Sequence, residues 1–403
     1  MPLTLFWQTL GRYARLVPIA LSPRRGRLAG RSVRHYVVSV LLLALLPLYL
    51  AYHWLGLLLD EVFFRGYRRV RIVEPVFIVG VPRSGTSALH ATLAEDGRFT
   101  TFRTWECLFA VSVTWRRFWW AAAALDRRLG RPGARLLAAA ERRAFGAFDA
   151  THPMTLQSPE EDHFVFMPLL YCFILVAAFP DAPWLWRFGR LDEAVAPAER
   201  RRLLAFYRGC VQRHLYAHAT DRRFLSKNPT FSPLVAALAR SFPDARFLCC
   251  LREPREAVSS QLSVLHGPMT AIHGSYRVAA FQKRLAEQLA HYYEHLLAVL
   301  NRLPQQRAVF IPAPALRGQL RGTVIATYEA LAMPLDTAFS TRLVELDARA
   351  RAGQSAHRHA LADSTLDEAW LRNRLAHVHQ RFDFNSKQPA PAGHAPERLR
   401  SSA

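Results

Sequence analysis

Four short apolar runs, separated by helical stretches, organise the chain from Glu74 onward: Val76–Val79, Phe224–Ser226, Phe247–Leu251 and Ala308–Ile311. Runs this short, apolar throughout instead of alternating, suit strands buried on both faces. Strands alternating with helices predict a mostly parallel sheet covered on both sides, an α/β fold. The interval from Phe102 to Tyr216 shows no strand. It holds arginine- and tryptophan-rich helical sequence from Trp115 to Arg143 and a second apolar stretch, Phe164–Phe179. We expect a helical insertion there, about residues 103–216, that shapes the binding site or rests on a membrane.

The first 70 residues follow another pattern. Leu3, Phe6, Trp7, Leu10, Tyr13, Val17 and Leu21 recur at helical spacing, with Gln8, Arg12 and Arg15 elsewhere on the wheel, which predicts a helix lying in a membrane interface. Tyr36–Leu59 is then apolar over 24 residues except at Ser39, Pro47, His53 and Gly56. As a helix it would be roughly 36 Å long, enough to cross a bilayer core. Arginines flank it on both sides, so the positive-inside rule sets no orientation. Crossing the bilayer, lying in it and packing as a core helix all remain open from sequence. Three regions result: N-terminal membrane-associating helices (1–70), a main domain (71–387), and a Pro-, Ala- and Ser-rich tail (388–403) expected to be disordered.

Composition adds two constraints. The formal net charge of +22 asks for anionic partners: a phosphorylated ligand, an acidic membrane surface or nucleic acid. No recognised motif or aromatic-basic stripe accompanies the charge, so nucleic acid is not expected as a partner. Only Lys227, Lys283 and Lys387 are lysine among 53 basic residues. The five cysteines are odd in number and scattered, with no C-x-x-C, which argues against a disulfide framework or zinc site and favours a reducing compartment.

The strongest chemical signal follows the first strand. Val76-Phe77-Ile78-Val79 leads into Gly80-Val81-Pro82-Arg83-Ser84-Gly85-Thr86-Ser87 and then a helix carrying Leu89 and Leu93. A strand, a glycine-bearing turn and a helix start aim several N–H groups and the positive helix end at one anion. The G-x-x-x-x-G spacing matches a nucleoside triphosphate loop, but Thr86-Ser87 stands where Lys-Ser/Thr would be, and the cation is Arg83 inside the loop. The other strand ends carry Lys227 and Arg252 instead of a magnesium-binding aspartate. A nucleotide held without metal fits this set. After Phe247–Leu251 come Arg252, Glu253-Pro254 and a helix start, with Ser260 eight residues beyond Arg252. Arg252 and Ser260 can clamp a second phosphate by guanidinium fork and hydroxyl.

Pro75–Glu95 resembles the 5′-phosphosulfate loop of the sulfotransferases, and Arg246–Ser263 their 3′-phosphate motif. The likeness runs roughly from Asp60 to Phe384 and is closest to the bacterial group that shares Pro-Arg-Ser-Gly-Thr with tyrosylprotein sulfotransferases. It implies 3′-phosphoadenosine-5′-phosphosulfate as donor, no metal, and a hydroxyl acceptor on a lipid, glycan or small metabolite. It further implies that Arg83 and the N–H groups of Ser84, Gly85, Thr86 and Ser87 meet the phosphosulfate, that Lys227 reaches the sulfuryl oxygens, and that Arg252 and Ser260 hold the 3′-phosphate. For the base, Glu106 stands near the family's catalytic glutamate, allowing a two-residue insertion. Glu160, Glu161, Asp162 and His163 form a rival cluster. Arg358 reads first as a solvated arginine and second as a further contact to the 3′-phosphate. Two positions depart from the family: Pro312-Ala313-Pro314-Ala315-Leu316 replaces the usual Tyr-Glu-Asp-Leu, and His359 stands where a tyrosine is usual. Because the donor is made in the bacterial cytoplasm, the resemblance implies a catalytic domain facing the cytoplasm at the membrane. A Golgi-type, lumenal arrangement is the counterpart for a eukaryotic source. The competing functions are a magnesium-dependent P-loop kinase or hydrolase and a non-catalytic, membrane-attached nucleotide-binding module.

Overall fold

The computed structural model describes residues 3–23, 28–145, 155–352, 368–384 and 388–391. Six strands form one sheet: β1 (Val76–Gly80), β2 (Phe99–Thr100), β3 (Arg223–Lys227), β4 (Arg246–Leu251), β5 (Ala308–Pro312) and β6 (Ala390–Pro391). Their order is β2-β3-β1-β4-β5-β6; the first five are parallel and β6 runs antiparallel to β5. The four apolar runs are four of these strands. β2 and β6, two residues each, are too short to carry a pattern; pairing with β3 and β5 makes them. The tail is therefore ordered as far as Ala390–Pro391, contrary to its composition, and residues 392–403 lie outside the described residues.

Side chains alternate between two cores. Phe77, Val79, Phe247 and Cys249 face one, shared with the helices Pro197–Ala217 and Val278–Leu300. Val76, Ile78, Leu248 and Cys250 face the other, under the helix Leu320–Ala330. Both faces are apolar, so the strands read as unbroken runs.

Six helices in the first part of the chain are α1 (Leu3–Leu21), α2 (Val33–Phe63), α3 (Thr86–Leu93), α4 (Thr104–Phe109), α5 (Val113–Arg128) and α6 (Pro132–Phe145). Between β2 and β3 the described residues hold no named strand: they form helices, turns and loops, with α4–α6 first, and one isolated bridge joins Arg103 to Pro159. Phe164–Phe179 becomes two short 3₁₀ turns, Asp162–Leu169 and Phe173–Val176, largely buried in the first core instead of lying on a surface. α2 is long and apolar enough to cross a membrane by length and composition. In α1 the inward positions are Leu5, Thr9, Arg12, Leu16 and Ala20. The sequence-predicted stripe through Leu3, Trp7 and Leu10 points outward.

β1 is the switch point of the sheet: the chain runs from it to β2 and β3 on one side, then to β4 and β5 on the other. Open α/β sheets bind ligands in the crevice outside the carboxyl ends of the strands at such a point.

Candidate active site at the carboxyl ends of β1, β3 and β4

The loop after β1 is built by close approach. Gly80 has φ 136°, and a Cβ there would stand 2.0 Å from the Cys250 carbonyl oxygen of β4, so only glycine fits. Its N–H donates to Ser232 Oγ (3.2 Å) and its carbonyl accepts from the same hydroxyl (2.6 Å). Ser84 Oγ donates to the Val81 carbonyl (2.6 Å) and is also within reach of that of Cys250 (2.9 Å). That hydroxyl is used inside the protein, leaving Ser84 its backbone N–H for a ligand. Gly85, with φ 91°, caps α3. Arg83 is a non-glycine residue in the left-handed region (φ 67°), the kind of backbone outlier that clusters at ligand clamps.

The two sequence motifs meet here. Arg83 Nε donates to Ser260 Oγ at 3.2 Å, and Arg252 Nη1 donates to the Arg83 carbonyl at 3.2 Å. Arg252 also pairs with Glu256 (2.8 Å), and its own carbonyl accepts from Tyr293. Burial, and then the neighbouring Arg252 charge, pull the Arg83 guanidinium below its ordinary value. Two cations held together under partial burial form a site that an anion relieves.

Lys227, at the end of β3 on the other side of β1, is 1% exposed. Its Nζ donates to Ser87 Oγ (3.2 Å) and to Glu161 Oε1 (2.9 Å), and Glu161 Oε2 lies 3.2 Å from His163 Nδ1. Burial would raise the Glu161 carboxyl, but Lys227 and His163 outweigh it and hold it well below the carboxylate range. Burial opposes a charge on His163, yet Cys172 and Glu161 raise it to about 10. Burial pushes Asp162 up to about 6; its carboxylate accepts from Tyr207.

Glu106 is placed elsewhere. It is fully buried, accepts from the Arg103 N–H at the start of α4, and lies 3.3 Å from Arg116 Nε and 3.5 Å from His214 Nδ1. His218 Nε2 is 2.7 Å away. Burial acts to raise its pKa, but Arg116, His214 and His218 depress it well below the ordinary value. Glu106, His214 and His218 could also converge on a cation, as could Glu193, His291 and His295. In the first group the Arg116 guanidinium already neutralises the carboxylate. The contacts described for Glu106 include neither the phosphate loop nor Lys227. Glu160, in turn, faces Thr104 and the Glu161 N–H.

Beyond Arg252 a cleft of about 740 Å³ opens, lined by Arg252, Arg317, His379, Arg381, Phe382 and Phe384 among others. Sequence reasoning missed all but Arg252, because they come from segments without a motif; the aromatic-arginine run Arg381-Phe382-Asp383-Phe384 was the one visible signal. Pro314, from the segment that departs from the family pattern, also lines this cleft. Arg358 and His359 lie outside the described residues.

A mostly parallel sheet covered by helices, with a glycine-bearing loop at its switch point and cations on both neighbouring strand ends, defines an α/β protein. The sulfotransferase family model matches residues 75–337, and the chain belongs to that family. Over 226 residues it is 32% identical to the omega-hydroxy-beta-dihydromenaquinone-9 sulfotransferase Stf3 of Mycobacterium tuberculosis, covering 55% of this chain and 52% of that one. The Mycobacterium bovis protein of the same name gives the same values. The chain thus spans about half the length of the curated relatives it matches. Among solved structures, sulfotransferase STF9 from Mycobacterium avium superposes with a TM-score of 0.68 at 17% identity, covering 93% of this chain and 91% of that one. STF1 from M. tuberculosis gives 0.66 at 20% identity, covering 91% and 92%. At these identities the likeness concerns the fold.

Proposed function

We propose that the protein transfers a sulfuryl group from 3′-phosphoadenosine-5′-phosphosulfate to a hydroxyl acceptor. The observation that carries this reading is the meeting of Arg83, Ser260 and Arg252 from two strand ends, with Lys227 beside Ser87 on the third. The N–H groups of Ser84 to Ser87 and Arg83 take the phosphosulfate end. Arg252 and Ser260 take the 3′-phosphate, and the nucleoside extends into the cleft toward Arg381 and Phe382. In the transfer the acceptor oxygen forms a bond to sulfur, the sulfur–phosphate oxygen bond breaks, and 3′-phosphoadenosine-5′-phosphate leaves. The protein aligns the partners and stabilises charge on the leaving oxygen, the work of Arg83 and Lys227.

Glu161 suits the role of base better than Glu106. A base must reach the acceptor proton. Glu161 is 23% exposed and touches Lys227, whereas Glu106 is sealed. The acceptor proton passes to Glu161, with His163 holding the carboxylate in place. Lys227, drawn toward the transferring group, loosens its hold on Glu161 as that happens.

The acceptor we propose is a hydroxyl on a lipid-linked or amphipathic molecule, and the site faces the cytoplasm at the membrane. The relatives' name, a sulfotransferase of a hydroxylated dihydromenaquinone, supports that acceptor class. The deciding experiment is transfer of labelled sulfate from the donor to lipid-extract fractions by purified protein in chelator. Labelled lipid is the expected product; magnesium-dependent hydrolysis of a nucleoside triphosphate in its place would overturn the reading. In right-side-out vesicles the catalytic domain should resist external protease, and its cleavage would refute the cytoplasmic orientation.

A further inference from the structure

We propose that the protein sits on an anionic bilayer through one apolar face built by α1, α2, α5 and α6, with α2 lying along the membrane and not across it. The proposal deepens the membrane part of the reading above but does not depend on the sulfuryl chemistry.

The helices pack in the order α1, α2, α5, α6. Tyr13 of α1 donates to the Leu43 carbonyl of α2 (2.8 Å), and Phe6 meets Trp54 edge-on at 5.1 Å. Tyr52 of α2 stacks on Trp115 of α5 at 4.3 Å, and its hydroxyl accepts from Trp119 Nε1 at 2.9 Å. Asp126 of α5 accepts from the Gly133 N–H at the start of α6 (2.6 Å). Every helix of the row turns large apolar side chains to solvent: Leu3 and Trp7 on α1, Leu45 and Leu48 on α2, Leu125 on α5 and Leu136 on α6, each more than half exposed. Soluble proteins seldom leave such a surface uncovered. Tyrosine and tryptophan at the junctions suit the depth where apolar and wet regions meet.

The opposite edge of α2 excludes a crossing. His35, Ser39, His53 and Asp60 are all buried. His35 pairs with His273 (2.8 Å), His53 lies 3.1 Å from the Leu108 carbonyl, and Asp60 binds Arg213 (2.8 Å). Asp60 also accepts from the N–H groups of Val113 and Thr114, the first turn of α5. From His35 to Asp60 the helix runs roughly 38 Å, longer than the ~30 Å hydrocarbon core. A crossing helix would carry the middle of that edge, with Ser39, His53 and the Leu108 carbonyl that His53 meets, into the hydrocarbon, where unmatched groups are not tolerated. A helix lying along the surface keeps one edge in the protein and gives the other to lipid.

The charge fits an anionic leaflet. Arg15, Arg34, Arg117, Arg127, Arg128 and Arg131 are exposed on or beside the same helices, and polybasic surfaces of this kind are drawn to anionic lipid. α1 contains no acidic residue.

The test is flotation of the full chain with phosphatidylcholine vesicles, with and without phosphatidylglycerol. Two double variants are compared: Leu45→Glu with Leu48→Glu on α2, and Trp119→Glu with Leu136→Glu on α5 and α6. Wild-type protein should float, more strongly with phosphatidylglycerol. Each pair should lower partitioning tenfold or more while keeping the melting temperature and the affinity for 3′-phosphoadenosine-5′-phosphate. Hydrogen exchange of the wild type, which needs no variant to fold, should show vesicle-dependent protection in α1, α2, α5 and α6. Wild-type protein that stays with the dense fraction overturns the proposal, as does an α5–α6 pair that floats like wild type. A dimer that forms through this face and ignores vesicles assigns the face to a second copy and overturns it too. Wild-type protein that binds the nucleotide but not vesicles refutes the docking alone; wild-type protein that binds vesicles but not the nucleotide refutes the donor reading alone.

Discussion

Glu161 and Glu106 are two glutamates in nearly the same chemical company and with opposite prospects. Each is ringed by a cation and imidazole, and each is held far below the ordinary carboxylate range despite burial. Glu161 is partly exposed and pairs with Lys227, which also reaches Ser87, while Glu106 is enclosed with Arg116 where α4, α5 and the helix Pro197–Ala217 meet. A perturbed carboxylate is therefore no sufficient mark of a catalytic group; access to the reacting atoms is what separates the two.

The sharpest break of this comparison is Glu106→Ala. It leaves the fully buried Arg116 without its carboxylate, and stability to urea should fall by about 3–5 kcal/mol. A protein that keeps its stability but loses turnover would return the role of base to Glu106. Glu161→Gln should do the converse: turnover down about a hundredfold, or ~2.7 kcal/mol, with product-nucleotide affinity unchanged. Unaltered turnover would move the base to another group.

Arg252→Ala sharpens the comparison from the donor side. Calorimetry with 3′-phosphoadenosine-5′-phosphate should show binding weakened by about 2 kcal/mol, and binding should persist in chelator. An affinity equal to wild type would detach Arg252 from the donor.

The two carboxylates also predict pH behaviour. Glu106 has a folded-state pKa below its ordinary 4.5, so its contribution to stability is complete above that value and is lost as pH falls below it. The acid-side decline in melting temperature should be shallower in Glu106→Gln. For turnover, a base at Glu161 leaves the rate flat from neutral pH down to about 5, because its pKa is lowered. A rate that climbs toward the His163 value of about 10 would instead assign the base to His163.

How much of this could be read in advance varies with chain separation. The loop Gly80–Ser87 and the Arg252–Ser260 pair are local patterns, and their residues converge because β1 and β4 are neighbours in register, Gly80 opposite Cys250. Lys227 was legible as a rare lysine at a strand end. Glu161 was visible only as one of four neighbouring candidates, since proximity in sequence does not say which side chain reaches Lys227. Ser232, which holds Gly80 from both sides, carried no signal, because its role depends on a contact 152 residues away. The cleft residues Arg317, Arg381 and Phe382 were missed for the same reason.

The sequence by itself determined the four longer strands, the glycine-bearing loop and the apolar character of the N-terminal helices, because hydrophobic runs, glycine positions and helix starts act within a few residues. Tertiary structure alone decided which glutamate reaches Lys227, which segments close the cleft, and that α2 keeps one edge in the protein. Those outcomes depend on burial and pairing between distant segments, as Asp60 with Arg213 and Glu106 with Arg116 illustrate, and no local pattern encodes a partner that far along the chain.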